Sequence, residues 1–523
     1  MFLKLSRIFF TPAMPRIPAR IIAPLFFSLA AFVAPGLAQS PAPIVAPDGT
    51  TPALAAPIPE KPLSLEECIA LAMKKNFDLQ IQGFSTEIAR ENLNVAKADF
   101  LPTINASTDR TLSRSTQAAS QPDGTVLLLP RDSNDTRFAL GVSERIPQTN
   151  GVVSISSNVS RASNQRPPFT SGAGISLNQP LLKNSGSTIS RAAIERSKLG
   201  LGIAYINYRS RVLTVIRDTE NAYYNLVGAR ETLRIRQLTL EYNQRLFEEN
   251  RTRRSTGVAT DLDVLTAEYG VANARRAVVQ AGQNVGDRED ALLNLINQPD
   301  FNVRPGPVTF EDYKSDTLSF AVSYKMAREN YPETLSAEET IKQLEIDVAT
   351  AKRNRLPSLN LTAGVSYNTN DTSYADVISS LPNDHGDRRN IGLNYSMPWG
   401  MRADRARYRS AVYSRDSQKA RLEQLELNLL VQVRTAVRSV ETNVITVEIA
   451  VKATELASRQ YDLQKARFDA GLSTSRLVLQ AQDDLETARF NELSAKVTLR
   501  GAVAELHRLE GTSIKRFGVQ LPE

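Results

Sequence analysis

Hydrophobic and polar positions change period along this chain in a fixed order, helical then alternating then helical, and the order is run through twice. Ser64 with Glu67 three residues on forms a capping box, and the helical pattern it opens is predicted to run to about Phe100, where Leu101-Pro102 stops it. A matching helix is predicted from about Phe320 to Arg355, ahead of Leu356-Pro357, with Pro332 kinking or restarting it. After each Leu-Pro the period drops to two. Thr103-Ile104-Asn105-Ala106-Ser107 and Ser358-Leu359-Asn360-Leu361-Thr362 have one apolar and one polar face, the mark of a half-buried strand. Further strands are predicted at 138–142, 152–156 and 173–177 in the first half and at 391–399 in the second, with loops at 112–135 and 368–389. Strands of about ten residues with Tyr and Trp near their ends suit a membrane β-barrel. A soluble sandwich is the alternative.

Two very long helical tracts follow, from about Ser187 to Ser255 and from about Arg402 to Ala470, neither with an internal proline. At 1.5 Å per residue, roughly 68 residues span about 100 Å. In the second tract Leu422, Leu425, Leu429, Val433, Val437, Val440, Val444 and Val447 step by three and four and mark a packing seam. Each tract ends in a glycine turn, and shorter helices are predicted beyond, at about 261–297 and 475–510. Two short helices laid end to end would match one long one. The segment 298–318 would form a small belt outside such a wall.

The two turns are copies. Arg253, Thr256-Gly257-Val258-Ala259-Thr260 and Val264-Leu265-Thr266-Ala267 are echoed by Arg467, Ala470-Gly471-Leu472-Ser473-Thr474 and Val478-Leu479-Gln480-Ala481. Ala96-Lys97 with Leu101-Pro102 and Asn105 returns as Ala351-Lys352 with Leu356-Pro357 and Asn360. The chain is therefore a duplicated unit. Residues 63–300 and 319–511 are the expected repeats, 301–318 the segment between them and 512–523 a tail.

Charge changes this picture little. The formal charge is +7, but Lys4, Arg7, Arg16 and Arg20 supply four of it, leaving 59 basic against 56 acidic residues along the remainder. That footprint is too thin for a phosphate backbone, so no nucleic-acid partner is expected. The basic start, the apolar run 21–34 and Gly36-Leu37-Ala38 fit a secretory leader over 1–38, and the Pro/Ala-rich stretch 39–62 fits a linker. Cys68 stands alone and reads as a small apolar helix residue. Two histidines and no P-loop, G-x-G-x-x-G or metal-ligand spacing make an enzyme unexpected, and no cofactor is expected. His385 beside Asp384 and Asp387 could hold a cation weakly, though a solvated loop explains it better.

The opening Leu63-Ser64-Leu65-Glu66-Glu67-Cys68-Ile69-Ala70-Leu71-Ala72, the paired Leu-Pro entries, Leu177-Asn178-Gln179-Pro180-Leu181-Leu182 and both glycine tips occur in one order, and the Leu-Pro and tip elements occur twice. In this the chain resembles the TolC-like outer-membrane efflux proteins over nearly all of its length beyond the leader. The resemblance implies a mainly α fold with β: a transmembrane β-barrel shared by three chains, and long periplasmic coiled-coil hairpins forming a tunnel that narrows at the tips. It implies a homotrimer in outer-membrane lipid, working with a periplasmic adaptor and an inner-membrane pump as a passive exit duct for efflux or type I secretion. A periplasmic adaptor or coiled-coil scaffold without a pore is the alternative. Relatives commonly carry two strands per half, whereas four are predicted in the first half here. The hairpin 138–161 would either add barrel strands or sit in a loop or plug.

By the same resemblance the gate lies at the tips. Asp263 matches a tip aspartate that pairs with the neighbouring hairpin in relatives. Its arginine partner is replaced here by Ser473, with Arg467 and Arg476 as substitutes nearby. Asp261 and Asp263 could equally cap the helix that follows, where negative charge suits the dipole. Relatives with an acidic constriction ring place carboxylates at the positions of Leu477 and Gln480, so a neutral collar is expected here. The turns Thr256, Gly257, Val258, Ala259, Thr260 and Ala470, Gly471, Leu472, Ser473, Thr474 are the expected adaptor-docking surface.

Overall fold

The computed structural model describes residues 60–61, 63–122, 124–298, 304–306, 310, 319–383 and 385–521. The expected leader 1–38, all of the expected linker 39–62 but residues 60 and 61, and most of the segment 301–318 lie outside them.

Helix α1 (Leu65–Lys75) opens on the expected capping box: Glu67 N donates to Ser64 Oγ at 3.2 Å, and Ser64 N donates to Glu67 Oε2 at 3.0 Å. The single helix predicted to Phe100 breaks at Asn76. There the backbone turns extended, and the Asn76 side chain accepts from the N–H groups of Asp78 and Leu79, capping a new helix α2 (Phe77–Ala98). Asparagine competes with the helix for its own backbone, so it starts helices better than it continues them.

The alternating segments form one antiparallel sheet of six strands in chain order: β1 (Thr103–Ser120), β2 (Val126–Arg145), β3 (Val152–Arg161), β4 (Phe169–Pro180), β5 (Ser358–Asp371) and β6 (Gly386–Ser396). The hairpin 138–161 thus lies within the sheet. Directly opposed residues share a face. One row runs Ile104, Val142, Ile155, Ile175, Val365 across five strands, and a row on the other face runs Asn105, Gly141, Ser156, Gly174, Ser366, Arg388 across six. The first face is mainly apolar, though its row ends in Arg389 on β6, and the second is mainly Ser, Asn and Gly, its row ending in Arg388. Two predicted loops are corrected here. Most of 112–135 is strand, because β1 and β2 continue as a two-stranded arm beyond their neighbours, and its Ser113–Ser133 bond (2.7 Å) and Arg114–Asp132 ion pair (2.7 Å) are polar and exposed, so no apolar alternation announces it. Within 368–389, β5 runs on to Asp371, a short helix Tyr374–Ser380 is capped by Ser373, and β6 begins at Gly386.

The remaining long helices are α3 (Ala192–Ser255), α4 (Asp261–Leu295), α5 (Phe320–Asn330), α6 (Pro332–Arg353), α7 (Arg402–Asp469) and α8 (Ser475–Glu510), with single turns at Ser187–Ser190 and Ser513–Arg516. Pro332 sits in the first turn of α6, where its missing N–H costs nothing, so it restarts the helix as expected. The helices pack as a wall. Near the sheet α3 lies between α2 and α6, and α7 lies beyond α6; near the tips α3 lies between α4 and α8, and α7 lies beyond α8. The short helices do stack: α2 with 22 residues and α4 with 35 flank the 64 residues of α3. At their junction Asn76 Nδ2 donates to Leu295 O at 2.9 Å and Asn297 Nδ2 donates to Lys75 O at 3.1 Å.

The predicted seam is the core of the second half. Leu429, Val433, Val437 and Val440 of α7 are buried against Leu499, Val503 and Leu506 of α8, each worth about 1.5–3 kcal/mol, while Leu422, Leu425, Val444 and Val447 are half-buried. A second core joins α1 and α4 to α3 through Ile69, Ile216, Leu226 and Leu292. It includes the buried Cys68, whose thiol is pushed up to about 12 by burial and then by Glu67.

Candidate functional site

Both hairpin tips are the same backbone device. Val258 N donates to Arg253 O at 2.9 Å and Gly257 N to Arg254 O at 3.0 Å; Leu472 N donates to Arg467 O at 2.8 Å and Gly471 N to Phe468 O at 3.0 Å. This is the Schellman closure, which needs a left-handed residue just past the helix. Gly257 and Gly471 supply it at φ +77 and +78, so the duplication extends to backbone geometry. Apolar residues that follow such a glycine commonly fold back onto the helix. Here Val258 is 75% and Leu472 80% exposed, leaving an apolar point on each tip. Thr256, Thr260, Ala470 and Thr474 are exposed around them, whereas Ala259 and Ser473 are half-buried; the Ser473 hydroxyl has no partner among the described residues.

Asp263 occupies two roles at once. It closes a capping box on α4, with its N–H donated to Thr260 Oγ1 (3.3 Å) and its carboxylate accepting from Thr260 N (3.0 Å) and Thr260 Oγ1 (2.6 Å). Its other oxygen accepts from Ser475 Oγ at 3.1 Å, on the first turn of α8 and so on the other hairpin. The Thr260 hydroxyl, then its backbone N–H and the Ser475 hydroxyl, hold the Asp263 carboxyl below the usual carboxylate range despite some burial. Asp261 instead pairs with Arg254 across its own turn. Within the chain neither Arg467 nor Arg476 reaches Asp263. Arg476, Leu477 and Gln480 lie on the exposed face of α8, with Ser475, Val478 and Ala481 on its buried face.

Ser475 and Arg253 were not among the expected contacts, yet they tie the two hairpins together. Arg253 stacks 3.9 Å from the centre of the Phe468 ring and donates to the Phe468 carbonyl at 3.1 Å. Phe468 is buried with Leu246 and Val478, Tyr242 lies 5.8 Å from Tyr461, and Lys465 bridges to Glu249 at 3.4 Å. The sequence signal for Arg253 was its repetition as Arg467; nothing in a lone serine at a helix start singles out Ser475. Of the weak cation candidate, Asp384 lies outside the described residues, Asp387 pairs with Arg389 at 3.1 Å, and His385 stands edge-on to Tyr367.

A model of the family described as outer membrane efflux protein matches residues 68–298 and 323–512. The pyoverdine export outer membrane protein OpmQ of Pseudomonas aeruginosa is 25% identical over 306 residues, covering 56% of this chain and 61% of that protein. The outer membrane protein TolC of Escherichia coli is 22% identical over 344 residues, covering 60% and 66%. The matched part of this chain thus spans less than two thirds of the length of either relative. Among solved structures, the Campylobacter jejuni CmeC outer membrane channel superposes with a TM-score of 0.66 at 19% identity over 88% of this chain and 90% of that one, a likeness of fold.

Proposed function

We propose that this chain, which belongs to the outer membrane efflux protein family, is the homotrimeric exit duct of a tripartite efflux or type I secretion assembly, carrying solutes passively from a periplasmic adaptor and inner-membrane pump to the exterior. The observation that supports this most is that the wall is unfinished on both sides. Among the described residues β1 and β6 each have an unpaired edge. At the helical level α2 exposes Phe77, Ile81, Phe84, Ile88 and Val95 in one stripe, and α7 on the opposite edge exposes Ile445, Ile449, Leu456 and Leu463. Two different edges that each need covering make a head-to-tail contact, and a curved wall repeated head to tail closes into a ring. The apolar sheet face then meets lipid, with Trp399 and Tyr395 at its rim, and the Ser/Asn/Gly face lines water.

In this reading the hairpin tips are the gate. Asp263–Ser475 and Arg253–Phe468 hold the two hairpins of one chain together, Arg467 and Arg476 are free to engage the next copy, and Leu477 with Gln480 forms a neutral collar that shuts by excluding water. Val258 and Leu472 offer the adaptor an apolar contact. An adaptor or scaffold has no use for six strands with one lipid-facing side. Purified protein in planar bilayers tests the proposal: trimers with discrete conductance steps are expected, and a monomer without conductance would overturn it.

A further inference from the structure

We propose that β3 and β4 are full members of the barrel wall, so that three copies of six strands close one barrel of eighteen, β1 of each copy pairing with β6 of the next, with an exit as wide as the helical wall beneath it. The inference rests on the duct reading above and sets the size of its exit.

The lipid-facing side runs across the added hairpin without interruption: Ile155 of β3 and Ile175 of β4 stand opposite each other, between Val142 and Val365. A hairpin folded into a lumen or lying in an outer loop has no reason to be apolar on that face alone. The water side carries small residues, and at Gly174 a side chain would meet Val365 O at 2.9 Å, so β4 and β5 are seated closely. The hairpin also starts and finishes at one rim. β2 and β4 both end there in turns with a left-handed asparagine, Asn150 (φ 63) and Asn184 (φ 60), and Asn150 Nδ2 donates to Asn184 O at 2.7 Å. Two strands added in this way leave the direction of every other strand unchanged.

Width decides between the alternatives. A strand spaced at about 4.8 Å and tilted by about 40° takes about 6.3 Å of circumference, so six take about 38 Å and four only about 25 Å. Each chain's wall is four helices wide, about 38 Å at an interaxial distance of about 9.5 Å. Six strands match that arc, whereas four at the same tilt would take about two thirds of it. Eighteen strands give a backbone radius of about 18 Å, against about 12 Å for twelve. The extra hairpin therefore fits a duct whose exit does not sieve, leaving selection of cargo to the tips.

Electron cryomicroscopy of the full chain in lipid nanodiscs, viewed down the axis, counts the strands. Eighteen in one ring is the expected result. A twelve-stranded ring with 146–179 folded into the lumen or outside it overturns this inference and leaves the duct standing, whereas an open monomeric sheet removes the duct reading itself. Polymer exclusion from the exit side is a second measure. Polyethylene glycols of hydrodynamic radius up to about 12 Å should enter the native barrel, and a cutoff near 6 Å, the value for twelve strands, would refute the eighteen-stranded wall. Deleting 146–179 should lower the native cutoff roughly twofold.

Discussion

Replacing Asp263 by alanine separates the two roles of the tip. The substitution removes the return bonds of the capping box, worth about 0.5–1 kcal/mol, and the inter-hairpin bond from Ser475, worth about 1 kcal/mol to a charged acceptor that is only half-buried. Together these come to about 1.5–2 kcal/mol per tip. If hairpin separation opens the duct, only the Ser475 bond differs between the two states, and its share of about 1 kcal/mol shifts the balance of open to closed tips by about 5-fold. Single-channel recording in planar bilayers should show longer and more frequent open dwells for Asp263→Ala. Ser475→Ala keeps the capping box and loses only the bond between hairpins, so it should reproduce most of the dwell-time effect. Thr260→Ala weakens the cap and leaves Ser475 in place, so it should do less to dwell times than to tip stability. Wild-type dwells for both Asp263→Ala and Ser475→Ala would refute the idea that this contact restrains the gate.

The pH dependence of the same contact has a definite sign. The Asp263 carboxyl sits below its ordinary value, chiefly through the Thr260 hydroxyl, which both states keep, and in smaller part through the Ser475 hydroxyl, which separation removes, so the separated tip binds the proton more readily than the joined one. The contribution is present above about pH 4 and fades only below it, so open probability from this source should be flat between pH 7 and 5.

Other outcomes follow from the helical wall. Burial pushes the Glu220 carboxyl up to about 7 against the pull of Arg516 and Arg500, so the folded chain holds a proton the unfolded chain has released, and stability should fall as pH rises from about 4.5 to 7 and then level off. Glu220→Gln should abolish that slope, melting higher than wild type at pH 8 but not at pH 5; parallel slopes would show that Glu220 is not its source. Leu429→Ala empties a fully buried seam position and should cost about 2–5 kcal/mol in denaturant unfolding. Phe84→Glu or Ile449→Glu changes a residue exposed in the single chain, so helicity should survive while native gels show trimer lost; intact trimers would mean that these stripes face water or lipid instead. Arg253→Lys keeps the charge but not the flat stack on Phe468, and should shorten closed dwells.

What could be seen in the chain before its structure was whatever repeats or buries. The glycine tips, the Pro332 restart, the capping box at Ser64 and the Leu429–Val440 seam each carry a local reason strong enough to survive folding. The Asn76 break and the arm 111–135 did not announce themselves. The first depends on a cap competing within an otherwise helical pattern, and the second pairs polar residues such as Ser113 with Ser133 beside an unbroken apolar run at 126–129, with no buried side to impose alternation. The site divided along the same line. Asp263 was visible because a capping motif is written in adjacent residues, and its double role stayed open because position in sequence does not say which hairpin lies alongside.

Ser475 and Phe468 belong to the part that only packing supplies, since 212 residues separate Ser475 from Asp263 and 215 separate Phe468 from Arg253. The same reasoning explains why the chain's surface looks wrong for a monomer. Phe84 and Ile449 obey helical spacing as well as any core residue, yet both are exposed, because the pattern records burial in the finished assembly rather than in one chain. Periodicity without burial in the protomer is therefore itself a positional signal. It marks the edges of the wall where another copy belongs, as the unpaired edges of β1 and β6 do for the sheet.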